Sequence, residues 1–287
     1  MTHELQTPVL SVRGLTTVFE RHRERSVAVD DVSFDVPAGS SVGIIGESGC
    51  GKSTTVRSVL GLLDQNGRTV AGSARFQGTD LLKLRPRQYR EIRGRRIGFV
   101  SQNPFGALNP VLRIEKQFHN VISAHRKTTK KASYERAVEL LEAVGLSDPE
   151  RVARGYAHQL SGGMAQRVVI AIALCLDPDL VVADEPTTAL DATVQVQILD
   201  LLAKVVTGAG RSLLIVTHDL GVVAQYCASV VVMHHGRVVE TGPVDRVLVT
   251  PDSPHAANLL AAVKSTALQV EGSALGGEGR EPEGGGE

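Results

Sequence analysis

Gly46-Glu47-Ser48-Gly49-Cys50-Gly51-Lys52-Ser53-Thr54 is the stretch that decides the fold of this 287-residue chain. It matches the pattern Gly, four residues, Gly-Lys-Ser/Thr of a loop that wraps the phosphates of a nucleotide. The apolar segment 41–45 before it predicts a buried strand, and the apolar spacing over 55–63 after it predicts a helix. Strand, glycine-rich loop and helix are the context that this pattern requires.

The residue types of the loop suit phosphate for separate reasons. Glycines permit positive φ, so successive backbone N–H groups can turn inward around an anion, and the helix N-terminus adds a partial positive charge. Lys52 is predicted to bind the β- and γ-phosphates, and the Ser53 hydroxyl is predicted to bind Mg²⁺. The alternative is a Gly/Ser-rich turn with a chance lysine, which residue frequencies produce in roughly one per cent of chains this long. The loop alone does not separate a kinase, a GTPase and a transporter ATPase.

Composition argues against several classes of protein. The chain has 31 Lys and Arg against 31 Asp and Glu, so its formal net charge is zero. The net charge therefore gives no overall attraction to nucleic acid or acidic lipid. The polar segment 1–6 is not a signal peptide, and the longest apolar run, 168–176, is far shorter than the ~20 residues that span a bilayer. The three cysteines, Cys50, Cys175 and Cys227, are widely spaced and predict neither a disulfide framework nor a zinc site. We therefore expect a cytoplasmic protein that can dock on a membrane partner.

Two adjacent acids follow a predicted buried strand. Residues 180–183 are all apolar, as in a central parallel strand, and Asp184 and Glu185 come directly after them. Acids at such a place are costly unless they serve an ion or a reaction. Asp184 is predicted to reach Mg²⁺, and Glu185 is predicted to face a water molecule.

Two more apolar strands end in polar side chains. Residues 97–100 precede Gln102, and residues 213–216 precede His218. A lone histidine is more often structural than catalytic, but the carboxyl ends of strands form the ligand edge of an open α/β sheet. We therefore expect Gln102 and His218 to lie beside the phosphate loop.

Other polar stretches have more ordinary explanations beside functional ones. Ser161-Gly162-Gly163 opens an apolar helix and is either a second anion-binding nest or a simple serine N-cap. The arginine-rich segment 21–25 predicts a solvated loop, although Phe19 before it or His22 within it could stack on a nucleotide base. The basic stretch 83–96 lacks interleaved aromatic residues other than Tyr89, which favours a solvated helix and hairpin over a nucleic-acid surface.

Taken in order, these residues resemble the nucleotide-binding subunit of ATP-binding cassette (ABC) transporters over roughly residues 8–262. The motifs that carry the resemblance are the phosphate loop Gly46–Ser53, the Q-loop glutamine Gln102, the signature Leu160–Gln166, the Walker B strand and catalytic acid Leu180–Glu185, the D-loop Ala189–Asp191 and the switch histidine His218.

More narrowly, the chain looks like the ATPase subunit of oligopeptide, dipeptide and nickel importers. Four stretches carry this likeness: Gly46–Gly49, Gln102–Pro104 with Leu108–Pro110, Ser161–Met164 and Gly236–Gly242. Ala165 departs from the usual arginine, and residues 254–257 depart from the usual His-Pro-Tyr-Thr. The tail has no cysteine, so no iron–sulfur cluster is expected.

The resemblance implies ATP and Mg²⁺ as cofactors and assigns roles residue by residue. It implies catalytic roles for Glu185, His218 and Gln102, metal contacts for Ser53, Gln102 and Asp184, and nucleotide contacts for Phe19, Gly46, Glu47, Ser48, Gly49, Cys50, Gly51, Lys52, Ser53, Thr54, Ser161, Gly163 and Asp191. Ser161 and Gly163 would act on ATP held by the phosphate loop of a second subunit.

The fold that we expect is α/β, a P-loop NTPase (RecA-like) core. It has a central, mostly parallel sheet, an N-terminal antiparallel β region and an inserted α-helical subdomain. The nucleotide-binding domain is expected to cover residues 1–265, with the helical subdomain at 104–165. A disordered Gly/Glu-rich tail is expected at 266–287.

The resemblance further implies an importer ATPase for di- or oligopeptides at the cytoplasmic face of the membrane. Its partners would be two membrane permease subunits, a sister ATPase subunit or a second copy of the chain, and indirectly an extracytoplasmic solute-binding protein. Nucleic acid is not an expected partner. Two alternatives are a soluble ABC-type ATPase of a non-transport assembly and an accessory ATPase of phosphonate breakdown.

Overall fold

The computed structural model of the chain describes residues 8–21, 24–188, 190–258 and 260–261. The strands are β1 Pro8–Arg21, β2 Glu24–Pro37, β3 Ser41–Ile45, β4 Gly67–Phe76, β5 Thr79–Asp80, β6 Ile97–Val100, β7 Leu180–Asp184, β8 Ser212–Val216, β9 Ser229–His234 and β10 Arg237–Pro243. The helices are α1 Lys52–Leu60, α2 Pro86–Ile92, α3 Pro104–Ala107, α4 Ile114–Ser123, α5 Lys130–Ala143, α6 Pro149–Arg154, α7 Gly162–Leu174, α8 Ala192–Val205, α9 Leu220–Tyr226 and α10 Val244–Val249. Three short 3-10 turns lie at Leu81–Lys83, Ala157–Gln159 and Thr207–Ala209.

A six-stranded sheet in the order β10-β9-β3-β8-β7-β6 forms the centre of the molecule. All of its neighbours pair in parallel except β10, which is antiparallel to β9. Every residue of β3, β7 and β8 is buried, because packed elements cover both faces of the sheet. Along β7, Val182 packs with α1 and the N-terminal sheet, whereas Val181 packs with α7 and α8. The predicted mostly parallel core is confirmed.

A second, antiparallel sheet in the order β2-β1-β4-β5 confirms the predicted N-terminal β region. The apolar runs 9–12, 27–29 and 32–36 predict three short strands, and this is wrong in extent, because β1 and β2 are 14 residues long each. Register shifts interrupt their pairing, and Gly14 and Asp31 have φ of 60° and 53° beside them. The apolar alternation therefore breaks at bulges while the hydrogen-bonded ladder continues.

Helices α3 to α6 connect β6 to α7. They divide most of the region 104–165, where a helical subdomain is expected, into pieces with their own start signals. Thr129 accepts a hydrogen bond from the Ala132 N–H at the start of α5, and Asp148 accepts one from the Arg151 N–H at the start of α6. The domain boundary at 265 and the tail 266–287 lie outside the described residues.

One helical stretch, Ala192–Ala209, is long and apolar enough to cross a membrane. Among the residues that the structure describes, no other helix meets this criterion of length and composition. This stretch consists of α8 and the 3-10 turn after it. Ile198 and Leu202 on one side are buried in the core, while Asp200 between them is exposed. This is also the pattern of an amphipathic core helix.

The parallel strands bring their carboxyl ends to one edge of the sheet. The phosphate loop leaves β3 at this edge, between β8 and β9. The turn between β9 and β10 supports the loop, because the Gly236 N–H donates to the Cys50 carbonyl at 2.9 Å. Nearby, the Glu185 N–H donates to the Val216 carbonyl at 2.9 Å and joins the ends of β7 and β8.

Gly98→Ala is expected to destabilise the protein by about 2 kcal/mol, because an added methyl group overpacks the contact between β6 and α7. A Cβ at Gly98 would lie 2.5 Å from the Ala173 carbonyl oxygen, which is backbone and cannot rotate away. Urea unfolding measures the change. Gly208→Ala is the control, because its Cβ would meet only the Ala203 oxygen at 3.8 Å. Equal stability of Gly98→Ala and wild type would contradict the expectation.

Candidate functional site

The phosphate loop has the backbone that an anion-binding loop needs. Gly46 has a φ of 154° and Gly51 a φ of 103°, conformations that side chains disfavour. A Cβ at Gly51 would lie 2.5 Å from the Ala28 carbonyl oxygen, and one at Gly46 would collide with the Met233 carbonyl oxygen. Both glycines are therefore required by close backbone approach as well as by φ.

Lys52 begins α1 with its ammonium group inside the loop. The side chain is only 4% exposed, and Nζ donates to the carbonyl oxygens of Gly46 at 2.8 Å and Glu47 at 2.9 Å. Among the described residues, no carboxylate lies within ion-pair distance of it. A buried cation with only carbonyl partners favours an incoming anion.

Cys50 in the same loop is a poor nucleophile. Its side chain is buried, and burial raises the pKa of the thiol although the charge of Lys52 opposes this. The thiolate is therefore scarce. The contribution of Cys50 to the loop is its backbone.

Ser53 and Asp184 meet at the base of the loop. The Ser53 hydroxyl donates to Asp184 Oδ1 at 2.6 Å, while Oδ2 is buried without a hydrogen-bond partner. Arg57 of α1 approaches Oδ2 to 3.7 Å. Burial raises the pKa of the Asp184 carboxyl, and the Ser53 hydrogen bond and the Arg57 charge act against that rise. A hydroxyl oxygen and an orphaned carboxylate oxygen side by side are ligands of the kind that Mg²⁺ prefers.

Glu185 gathers the other strand-end residues. Gln102 Nε2 and the Thr188 hydroxyl both donate to Glu185 Oε2 at 2.9 Å. His218 Nδ1 lies 3.7 Å from the other oxygen, Oε1. Glu185 itself has a φ of 46°, which is unusual for a residue with a side chain. The structure thus brings together Gln102, Glu185 and His218, as expected from their places at strand ends.

Ser161, Gly163 and Asp191 form a separate group at the starts of α7 and α8. Ser161 accepts a hydrogen bond from the Met164 N–H at 3.3 Å, and Asp191 accepts one from the Val194 N–H at 3.0 Å. A Cβ at Gly163 would lie 2.8 Å from Val194 Cγ1, so the two helix starts are in close contact. No hydrogen bond of the described residues links this group to the phosphate loop. Ala189 of the predicted D-loop lies outside the described residues.

Phe19 is half-buried on β1, against the connection that follows α1. Its ring would lie 2.9 Å from a Cβ at Gly67, and it lines a cavity of about 470 Å³ together with Ser26 and Asp64. The phosphate loop is at the opposite end of α1. Stacking of Phe19 on a nucleotide base therefore stays a prediction, and the alternative His22 lies outside the described residues.

Sequence reasoning missed two contacts of the site, those of Thr188 and Arg57. Pro186 at the second position of a tight turn was a usable signal for Thr188, because such a turn returns the fourth residue to the first. Arg57 lies one turn after Ser53 on α1, and helical spacing could have placed it on the same face.

Asp184→Asn is expected to stabilise the protein in a chelator-containing buffer by about 1 kcal/mol, raising the melting temperature by about 2 °C. The neutral amide keeps the Ser53 hydrogen bond and removes a charge that is 1% exposed. Thermal unfolding measures this, with the exposed Asp245→Asn as control. A melting temperature below that of wild type would show that the Arg57 ion pair outweighs the cost of burial.

The family model described as "ABC transporter" matches residues 29–188, which is more than half of the chain. The chain belongs to the ABC transporter family. As a member of it, the chain binds and hydrolyses ATP, and the predicted family and fold are confirmed.

Two relatives and one solved structure illustrate the family likeness. The probable peptide ABC transporter ATP-binding protein y4tR of Sinorhizobium fredii is 43% identical over 256 residues, covering 89% of this chain and 76% of that protein. The oligopeptide transport ATP-binding protein AppD of Bacillus subtilis is also 43% identical over 256 residues, covering 89% of this chain and 78% of that one. The ATP-binding cassette MJ0796, a dimer in a post-hydrolysis state with ADP and phosphate, has a TM-score of 0.73 at 29% identity. The match covers 82% of this chain and 98% of the MJ0796 chain.

Proposed function

We propose that this ABC ATPase is the ATP-hydrolysing subunit of an importer of di- and oligopeptides, attached to the cytoplasmic face of the membrane. The similarity to y4tR and AppD, both named for peptide transport, supports the substrate class. The observation that carries the proposed chemistry is the convergence of Gln102, Glu185 and His218 at the sheet edge from which the phosphate loop leaves.

The nucleotide is held by the phosphate loop. The backbone of residues 46–54 and the Lys52 ammonium bind its phosphates. Ser53, Asp184 and Gln102 would hold Mg²⁺, which would neutralise part of the phosphate charge.

Hydrolysis is assigned to the strand-end side chains. Glu185 Oε1 accepts a proton from the attacking water while the oxygen of that water bonds to the γ-phosphorus and the bond to ADP breaks. Because Oε2 is already hydrogen-bonded twice, Oε1 is the oxygen available for this proton. His218 holds the γ-phosphate. The contribution of the protein is mostly positioning and charge stabilisation.

Turnover requires two ATPase subunits. Among the described residues, Ser161 and Gly163 make no hydrogen bond to the phosphate loop of their own chain. We assign them, with Asp191, to the nucleotide of a partner ATPase subunit. That partner is a sister subunit or a second copy of this chain. ATP binds the closed pair better than the open pair and so drives closure.

Two membrane permease subunits are further proposed partners, and the segment after Gln102 is their proposed contact. Phe105 and Val111, in the segment after Gln102, are 45% and 77% exposed, which is unusual for large apolar side chains and suits a protein contact. An extracytoplasmic solute-binding protein acts indirectly. Nucleic acid is not among the proposed partners.

The test is a pull-down of a tagged Glu185→Gln chain from membranes of the source cell with ATP and Mg²⁺, followed by mass spectrometry. Two permeases and a second ATPase are the expected companions. Recovery from the soluble fraction alone, without a membrane protein, would overturn the importer proposal in favour of an ATPase of a non-transport assembly.

A further inference from the structure

The two oxygens of the Glu185 carboxylate have unequal surroundings. Oε2 accepts hydrogen bonds from Gln102 and Thr188, both at 2.9 Å. Among the described residues, Oε1 accepts no hydrogen bond, and His218 Nδ1 lies 3.7 Å from it. The side chain is therefore held by one oxygen and presents the other.

The Thr188 hydrogen bond is built into a local turn. The Thr188 N–H donates to the Glu185 carbonyl at 3.3 Å, and Pro186 fixes the turn between them. This turn brings the Thr188 hydroxyl back onto the side chain of the residue that begins it. Glu185 adopts its unusual φ of 46° at the same point, so the main chain and the side chain are constrained together.

The Gln102 hydrogen bond is of another kind. Gln102 is exposed and lies 83 residues away in the chain, whereas Thr188 is half-buried and only three residues away. The proposed function also requires Gln102 to contact Mg²⁺. Thr188 is the partner of Oε2 that needs no contact with nucleotide or metal and no movement of a distant segment.

We infer that Thr188 is a positioning residue for hydrolysis: its hydroxyl fixes Oε2 of Glu185 so that Oε1 faces the attacking water. The inference rests on the proposed role of Glu185 as the general base. It assigns to Thr188 a task that a side chain of the same shape without a hydroxyl cannot perform, because a charge-assisted hydrogen bond fixes direction as well as distance.

The test compares Thr188→Val, which keeps the shape, with Thr188→Ser, which keeps the hydroxyl. Full-length chains are purified with the subunits that co-isolate with them. We expect Thr188→Val to lower kcat about tenfold with KM for ATP within about twofold of wild type, since a loosened base slows the chemical step alone. Thr188→Ser is expected to retain kcat within about threefold.

A second readout separates positioning from damage to the fold. Rapid gel filtration after incubation with Mg²⁺ and ATP shows which nucleotide stays bound. Thr188→Val is expected to retain mostly ATP, whereas a misfolded chain retains no nucleotide. Thr187→Val is the matched control, because the Thr187 hydroxyl makes no hydrogen bond among the described residues, and it is expected to resemble wild type.

Three results would overturn the inference while leaving the proposed function intact. These are wild-type kcat in Thr188→Val, a Thr188→Ser chain as slow as Thr188→Val, and a Thr188→Val chain whose defect is in KM. Wild-type turnover by Glu185→Gln would instead overturn the proposed role of Glu185, and the role of Thr188 with it.

Discussion

Replacing Glu185 with glutamine is expected to lower ATP hydrolysis by about a thousandfold while ATP binding persists. Glutamine has the shape of glutamate, and its amide oxygen can still accept the hydrogen bond from Thr188. It cannot take a proton from water at Oε1. ATP still closes the pair of subunits, but the hydrolysis that reopens the pair is lost. The ATP-bound closed pair should therefore accumulate.

Phosphate release and size-exclusion chromatography measure the two parts of this result. Glu142→Gln on α5 is the control, because Glu142 is exposed and far in sequence from the site. Turnover within tenfold of wild type would mean that another group accepts the proton. Loss of hydrolysis without accumulated ATP would mean that Glu185 is needed for closure instead.

Replacing Lys52 with alanine is expected to weaken ATP binding about a hundredfold, because two charge-assisted contacts to phosphate are lost from a water-poor site. The substitution also frees the carbonyl oxygens of Gly46 and Glu47, which the ammonium group now binds at 2.8 and 2.9 Å. Those oxygens would then point negative charge at the phosphates.

Titration with a fluorescent ATP analogue measures the affinity of Lys52→Ala. Lys204→Ala, at an exposed position late in α8, removes the same charge elsewhere and should bind as wild type does. Thermal unfolding without nucleotide shows whether the variant is folded. A folded Lys52→Ala chain with unchanged affinity would contradict the assignment of the loop.

The sequence predicted the parts of the site that depend on chain order. The β3–loop–α1 unit is local, and its pattern has few other uses. Gln102, Asp184 and His218 were predictable because parallel strands bring their carboxyl ends to a shared edge, which follows from topology without knowledge of side-chain positions.

The contacts that escaped prediction depend on side-chain direction or on irregular backbone. The approach of Arg57 to Asp184 depends on the rotamer of a long side chain, and the hydrogen bond of Thr188 lies in a turn that begins at Glu185, where φ is positive. The lengths of β1 and β2 were missed because bulges shift which residues face the core, so periodicity is lost where pairing is not.

Because the Gly236 N–H donates to the Cys50 carbonyl, the amide proton of Gly236 reports on opening of the phosphate loop. Its exchange with solvent deuterium requires the loop and the β9–β10 turn to separate, so the exchange rate measures the free energy of opening at that point. This exchange measurement needs no label and no substitution in the nucleotide site. The exchange rate of the Gly236 amide would report the free energy of opening of the loop at each stage of the transport cycle.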